Sequence, residues 1–284
     1  MFMQEPEQSP YDLRFRLFDT AVRVHPWFWL MTILFNLKLI TDQGAVGMLY
    51  LGIWTACVFV SILVHEFGHV FMGRYYGSDG YIVLYSFGGL AIGSYPMGGA
   101  NQRIAVSFAG PAAGFLLFAV TASAAWLYNP TLTQSLLLNL INEPGVGAGG
   151  APDWAIQLIW YLFQINLFWG LMNLLPIWPL DGGQISAELF QKADPNQGLR
   201  RALIVSIVTA CLFSFQAAIS GLRGQPIIPY MPKGDLFQVI LFALLAYMSW
   251  QALQATGGGG GRYRLEEESY ERAPWERDAD WWKR

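Results

Sequence analysis

The sequence predicts an all-α polytopic membrane protein of about six transmembrane helices, with a membrane-entering β-strand segment near residues 81–99. Three observations lead there. The 284 residues are 54% hydrophobic and 13% charged, about half the charge of an ordinary soluble domain, and the mean hydropathy is +0.34. Stretches between charges repeatedly reach the roughly 20 apolar residues needed to cross a bilayer core. One uncharged apolar stretch is too short and too glycine-rich for another helix, and its Val, Ile and Tyr content favours short strands.

The elements follow in chain order. The opening MFMQEPEQSPYDLRFRLFD is polar and mixed in charge, unlike a secretory signal, so residues 1–23 are expected to be a cytosolic leader that stays on the protein. Six spans are expected at residues 24–40, 44–73, 104–128, 154–180, 202–222 and 236–255. Any one of them alone would pass for a buried soluble helix; six together do not. The first is short and carries Lys38, which can snorkel to the interface, while Trp27 and Trp29 suit its belt. Between the second and third spans, YIVLYSFGGLAIGSYPMGG at 81–99 reads as a strand pair with Gly88-Gly89 offering the turn. Such a pair can dip into a membrane only where protein or water satisfies its backbone. NEPGVGAGGAPD, residues 142–153, is expected as an external connector. After Gly257 to Gly261 the end is charged and aromatic, too small for a domain, and reads as a disordered tail or a surface helix. The expected division is therefore leader 1–23, six-span domain 24–255, and Gly-rich linker with charged cytosolic tail 256–284.

Charge sets the orientation and excludes one class of partner. Net charge is -3, from 17 Lys and Arg against 20 Asp and Glu, with no basic cluster away from the ends, so nucleic acid is not an expected partner. Placing the N-terminus in the cytosol puts Arg14, Arg16, Arg23, Arg74, Arg103, Lys192, Arg200, Arg201 and six tail residues inside. Only Lys38, Arg223 and Lys233 are then left at or beyond the far side. An integral protein of a bacterial cytoplasmic membrane with both termini cytosolic is the expectation. Cys57 and Cys211 both lie in apolar runs and read as packing residues that do not reveal a redox compartment.

Two of the three histidines fall in HEFGH, residues 65–69, deep in the second expected span. On a helix, His65 and His69 share a face and can meet one metal, while Glu66 lies about 100° round and can address a metal-bound water. Two imidazoles and a carboxylate in an apolar span are costly and by default functional, a helix-packing polar cluster being the plainer alternative. A zinc site with one position open needs a third protein ligand. Away from loops and termini, the other carboxylate bordered by a long apolar stretch is Asp181, in NLLPIWPLDGG at 173–183. Pro176 and Pro179 interrupt regular helix there and Gly182-Gly183 let the chain bend, so the carboxylate can turn back toward the neighbouring helix. In the orientation above, the second and fourth spans run the same way, which brings His65, His69 and Asp181 to similar depth. The rise from His65 to Arg74 is about 13 Å, inside the membrane but within reach of cytosolic water. The alternative for Asp181 is a cap on a helix starting near Gln184.

HEFGH in one span, followed by Asn173, Pro176 and Asp181-Gly182-Gly183 in another, resembles the site-2 protease family of intramembrane zinc metalloproteases. The resemblance runs from the first span to about residue 190. It implies that His65, His69 and Asp181 hold one Zn2+ per chain, that Glu66 is the catalytic base, and that Asn173 positions substrate or stabilises the oxyanion. A membrane-entering strand segment after the HExxH helix also belongs to that family and matches residues 81–99. Relatives often carry a PDZ domain or a nucleotide-sensing pair, for which this chain has no room. It therefore resembles the compact branch, and regulation is left to a membrane partner. The implied activity is cleavage of a transmembrane segment in a single-span membrane protein substrate within the lipid bilayer, releasing a cytosolic product.

Zinc lowers the pKa of bound water to about 7, and Glu66 would take the proton as the peptide carbonyl is attacked. Substrate helices must unwind first, and the 81–99 segment would either pair with the unwound chain by strand addition or only plug the site. Asn173 has the alternative of an interhelical hydrogen bond. Gly110 and Gly114 in FAGPAAG read as a close helix-packing face that seats the third span near the metal-site helices, a structural role. His25 reads as interfacial, and Glu188 and Asp194 as solvated charges. The rival functions are a metal-binding membrane transporter or a proteolytically inactive scaffold, and a membrane metalloprotease that trims prenylated tails. A carrier has no need of Glu66, and the LDGG element argues against the tail-trimming enzyme.

Overall fold

Apolar runs of this length become helices because, in lipid, each backbone group must be satisfied within its own segment. The computed structural model describes residues 5–86, 88–94, 98–140, 153–225 and 234–256. The connector at 142–153 therefore lies outside the described residues except for Asp153, as does the linker and tail beyond Thr256. Among the described residues, five helices are long and apolar enough to cross a membrane, and the protein is a multi-pass membrane chain.

The order is β1 (Leu13–Leu17), β2 (Thr20–Val24), α1 (Pro26–Phe35), α2 (Lys38–Tyr75), β3 (Tyr81–Tyr85), β4 (Gly88–Ile92), α3 (Ala100–Tyr128) and α4 (Pro130–Leu138). Then come α5 (Asp153–Gln164), a π-helical turn at Ile165–Trp169, and α6 (Gly170–Asn173), which form one rod. α7 (Asp181–Ala193), α8 (Gly198–Arg223) and α9 (Leu236–Thr256) complete the chain.

The first expected span, 24–40, is not one long helix, which is why five spans are found where about six were expected. Val24 is the last residue of β2, paired with Leu13 on one side and Leu84 on the other. His25 caps the next helix through its Nδ1, which accepts from the Trp27 N–H at 3.2 Å, and Pro26 opens α1. After ten residues α1 stops at Phe35, too short to cross. Helix α2 is itself broken at Gly44, whose φ of 57° and ψ of -128° leave helical space.

Residues 13–24, expected within or beside a leader, form a hairpin. Its two turn residues, Phe18 and Asp19, both have positive φ (48° and 57°), the twist that two-residue hairpins require. Arg74, at the end of α2, donates to the carbonyls of Phe18 and Asp19 at 2.7 and 2.9 Å and ties the turn to the helix that carries HEFGH. Arg23 of β2 is fully buried and paired with Asp12 and Glu5.

The four strands lie in sequence order, β1-β2-β3-β4, with β2 and β3 parallel and the other pairs antiparallel. Gly88 pairs with Tyr85 and Gly89 with Leu84, so both glycines are strand residues and the turn falls before them. Val22, Val24, Ile82 and Leu84 pack against Ile62, Leu63, Phe67 and Val70 of α2. Inside lipid, transfer from water no longer drives such packing, and close approach takes its place. Gly68 of α2 does this against α3, since a Cβ there would lie 2.3 Å from the Ala109 carbonyl oxygen.

Candidate metal centre

α2 is helical through HEFGH, and its period turns His65 and His69 to the same side. Their Nε2 atoms are 3.2 Å apart. Asp181 meets them from α7, with Oδ2 at 3.1 Å from His65 Nε2 and Oδ1 at 3.4 Å from His69 Nε2. All three residues are buried. Donor atoms about 2.0–2.1 Å from a tetrahedral zinc stand about 3.3 Å from one another, so these separations suit one small ion. Among the described residues, His65, His69 and Asp181 form one group of possible metal donors whose ligand atoms all lie within 4.8 Å. The His69 Nδ1–H donates to the Val106 carbonyl at 2.7 Å, which leaves the Nε2 lone pair facing the other donors. The donor set of two imidazoles and a carboxylate matches the expected cofactor, one Zn2+ per chain.

Asp181 arrives there because the chain between α6 and α7 cannot remain helical. Pro176 and Pro179 lack backbone N–H groups, and the rod ends at Asn173. Ile177 is fully buried and plugs into a cluster with Ala210 of α8 and Phe242 and Leu245 of α9. α7 then starts at Asp181 itself, not near Gln184, and the carboxylate faces the imidazoles instead of capping. Gly182 permits the tight return, for a Cβ there would lie 2.3 Å from the Leu174 carbonyl oxygen.

Glu66 lies beside the three donors, buried under β4. A Cβ on Gly89 would come within 2.3 Å of Glu66 Cγ and 2.5 Å of Oε1, so the strand backbone rests on this carboxylate. The Ala91 N–H donates toward it. Asn173 is buried on α6, and its Nδ2 donates to the Trp169 carbonyl one turn back at 3.0 Å. That bond lies within its own helix and uses one of two amide hydrogens. His25 is a helix cap stacked edge-on to Tyr85.

Three features go further than their sequence reading. Gly110 does seat α3 close to α2, as expected, and the atoms it faces are the candidate metal donors: a Cβ there would be 2.2 Å from His69 Nε2 and 2.8 Å from His65 Nε2. Asn166, in the π-helical turn, donates to Ser61 Oγ at 2.9 Å, one turn before His65. Glu188, read as solvated, is buried and takes a two-pronged pair from Arg103 at 2.6 and 2.8 Å, which joins α7 to α3. Glu188 follows Asp181 by seven residues on α7 and so shares its buried face, which was the available signal for the last.

Residues 53–215 match the family model of peptidase family M50. The chain belongs to that family. The matched segment contains HEFGH, Asn173 and Asp181, and membership bears out the resemblance to site-2 proteases drawn from those motifs. This M50 chain is 28% identical over 220 residues to sll0528 of Synechocystis sp., covering 77% of this chain and 50% of the relative. It is 24% identical over 186 residues to zinc metalloprotease MJ0392 of Methanocaldococcus jannaschii, covering 64% of this chain and 46% of the relative. The chain thus spans about half the length of these curated relatives. A solved site-2 protease from Methanocaldococcus jannaschii aligns over 86% of this chain and 95% of its own, at 19% identity and a TM-score of 0.48.

Proposed function

We propose that this chain is an intramembrane zinc metalloendopeptidase of the site-2 type. Its substrate is a single-span membrane protein, cut within its transmembrane segment. The observation that carries the reading is the placement of Glu66: a buried carboxylate next to the three-donor group and beneath an edge strand. A metal carrier has use for His65, His69 and Asp181 but none for this fourth group.

Zinc, when bound, supplies Lewis acidity toward water and a peptide carbonyl. The remaining work falls to the chain. His65, His69 and Asp181 would hold the ion, with Glu66 beside them. Glu66 accepts the proton of the attacking water on its carboxylate and returns it to the leaving amine. The Ala91 N–H orients that carboxylate, and the bare Cα of Gly89 leaves it room. Among the described residues β4 has one neighbour, β3, so its other edge can take an unwound substrate segment by strand addition alongside Glu66. Asn173 retains one amide hydrogen for a substrate carbonyl or its oxyanion.

The frame we propose has both termini in the cytosol of a bacterial cell and the site in the cytosolic half of the membrane, so that a soluble product leaves inward. Its support is the basic end of the bundle, where Arg103 pairs with Glu188, Lys192 reaches Asn101 and Arg201 pairs with Asp194. Residues 24–255 carry the catalytic domain in this reading, with the hairpin at 13–24 bound to it. Regulation falls to a further membrane partner.

The test is purified full chain in liposomes with a single-span substrate, with and without chelator, beside Glu66→Gln. Cleavage that stops with chelator and in Glu66→Gln, while the variant keeps its zinc, is expected. Wild-type turnover by Glu66→Gln would remove Glu66 as the base.

A further inference from the structure

The segment that delivers Asp181 has an unusual backbone problem. Between Pro176 and Pro179 only Ile177 and Trp178 carry an N–H, and Ile177 bonds locally to the Leu175 carbonyl at 2.7 Å. The Trp178 N–H and C=O have no helix or strand to join, yet buried backbone groups need partners. Two serines from other helices supply them. The Trp178 N–H donates to Ser206 Oγ on α8 at 2.6 Å. The Ser206 and Ser249 hydroxyls are 2.7 Å apart, and Ser249 Oγ on α9 lies 3.0 Å from the Trp178 carbonyl and 2.8 Å from the Leu245 carbonyl. A single proton arrangement satisfies all of them: Trp178 N–H to Ser206, Ser206 O–H to Ser249, and Ser249 O–H shared between the two carbonyls. Ser206 is 1% exposed and Ser249 fully buried, so no solvent competes for these bonds.

We infer that Ser206 and Ser249 are positioning residues for the metal centre: they close a hydrogen-bonded ring on Trp178 and so fix Asp181, three residues on, against His65 and His69. The ring makes the last two helices part of the metal site. Among the described residues α9 packs chiefly on α8, and Ser249 lies beyond the segment matched by the family model. Ile177 packing between Ala210, Phe242 and Leu245 anchors the same loop from its apolar side. The inference rests on the metalloprotease reading for its consequence, though not for the ring itself.

A control is built into the same helix pair. Ser214 of α8 also bonds α9, through the Val239 carbonyl at 3.0 Å, but about two turns away from Ser206. Full-length wild type, Ser206→Ala, Ser249→Ala, Ser249→Thr and Ser214→Ala are compared by zinc competition against a chromogenic chelator and by amide exchange of the peptide holding residues 177–181. Ser206→Ala and Ser249→Ala are expected to lose at least tenfold in zinc affinity and to exchange faster at 177–181. Ser249→Thr keeps the hydroxyl and restores both, and Ser214→Ala changes neither. Zinc affinity unchanged in Ser206→Ala and Ser249→Ala overturns the inference, as does an equal loss in Ser214→Ala, which would signal general loosening of α8 against α9. A wild type that binds no zinc overturns the protease reading instead, and the exchange arm still decides whether the serines hold the loop.

Discussion

Replacing Gly110 with alanine tests the metal centre without touching a donor. The new methyl carbon would lie 2.2 Å from His69 Nε2, 2.4 Å from His69 Cε1 and 2.8 Å from His65 Nε2. Ordinary contact begins near 3.4 Å, so α3 or the imidazoles must give by on the order of 1 Å. An ion about 2.0–2.1 Å from both nitrogens would compete with the methyl for the same space. Withdrawal of α3 would give up its close packing on α2 where the Ala109 carbonyl lies over Gly68. Overpacking of this kind costs about 1–3 kcal/mol, against which alanine recovers about 1 kcal/mol of helix propensity. Zinc affinity should fall roughly 10–100-fold, the scale seen when groups around metal ligands are disturbed, while the fold survives. Gly114→Ala, one turn on, is the comparison: its Cβ would meet the Asn166 oxygens at 3.8 Å, ordinary contact, so zinc should stay and stability should hold or rise. The assay is zinc per chain after gel filtration, with chelator competition for affinity. Full zinc occupancy at wild-type affinity in Gly110→Ala would refute the geometry, and so would loss of zinc in Gly114→Ala.

Gly89→Ala crowds Glu66 instead of the donors, at 2.3 Å from Cγ, so turnover should drop about 100-fold or more with zinc content unchanged; normal turnover would show that β4 does not confine the carboxylate. Asp181→Asn should lower both metal content and rate, measured on the same preparation, and full metal with only the rate reduced would mean that Asp181 is not a primary ligand. Single cysteines at Ser9 and Ser269, after Cys57 and Cys211 are replaced, should react with an impermeant reagent only in permeabilised cells; labelling from outside intact cells would reverse the proposed frame.

The parts legible in the sequence were those set by neighbours along the chain. A four-residue spacing on a helix places His65 and His69 on one face whatever surrounds them, because the helical period is local. The apolar runs declared their spans for the same reason, and the prolines before Asp181 announced a break. The hairpin at 13–24 was locally encoded too, in the alternation LRFRL and TAVRV, but its polar residues read as a leader.

Other features depended on contacts between distant positions. Asp181 meets His65 across 116 residues, and no spacing rule sets that 3.1 Å distance. Gly110 reads as a glycine that seats α3 near the metal-site helices, but only with α3 laid on α2 is the space it keeps seen to border the candidate donor atoms themselves. Glu188 becomes a buried partner only when α7 crosses Arg103, and the first expected span shortens because β3 claims the backbone of Val24 as a strand neighbour. Local sequence determined which groups this protein can bring to a metal, since helix phase and proline breaks act over a few residues. Tertiary packing decided their depth, their separations and what confines them, since those depend on which backbones approach closely enough to exclude a side chain.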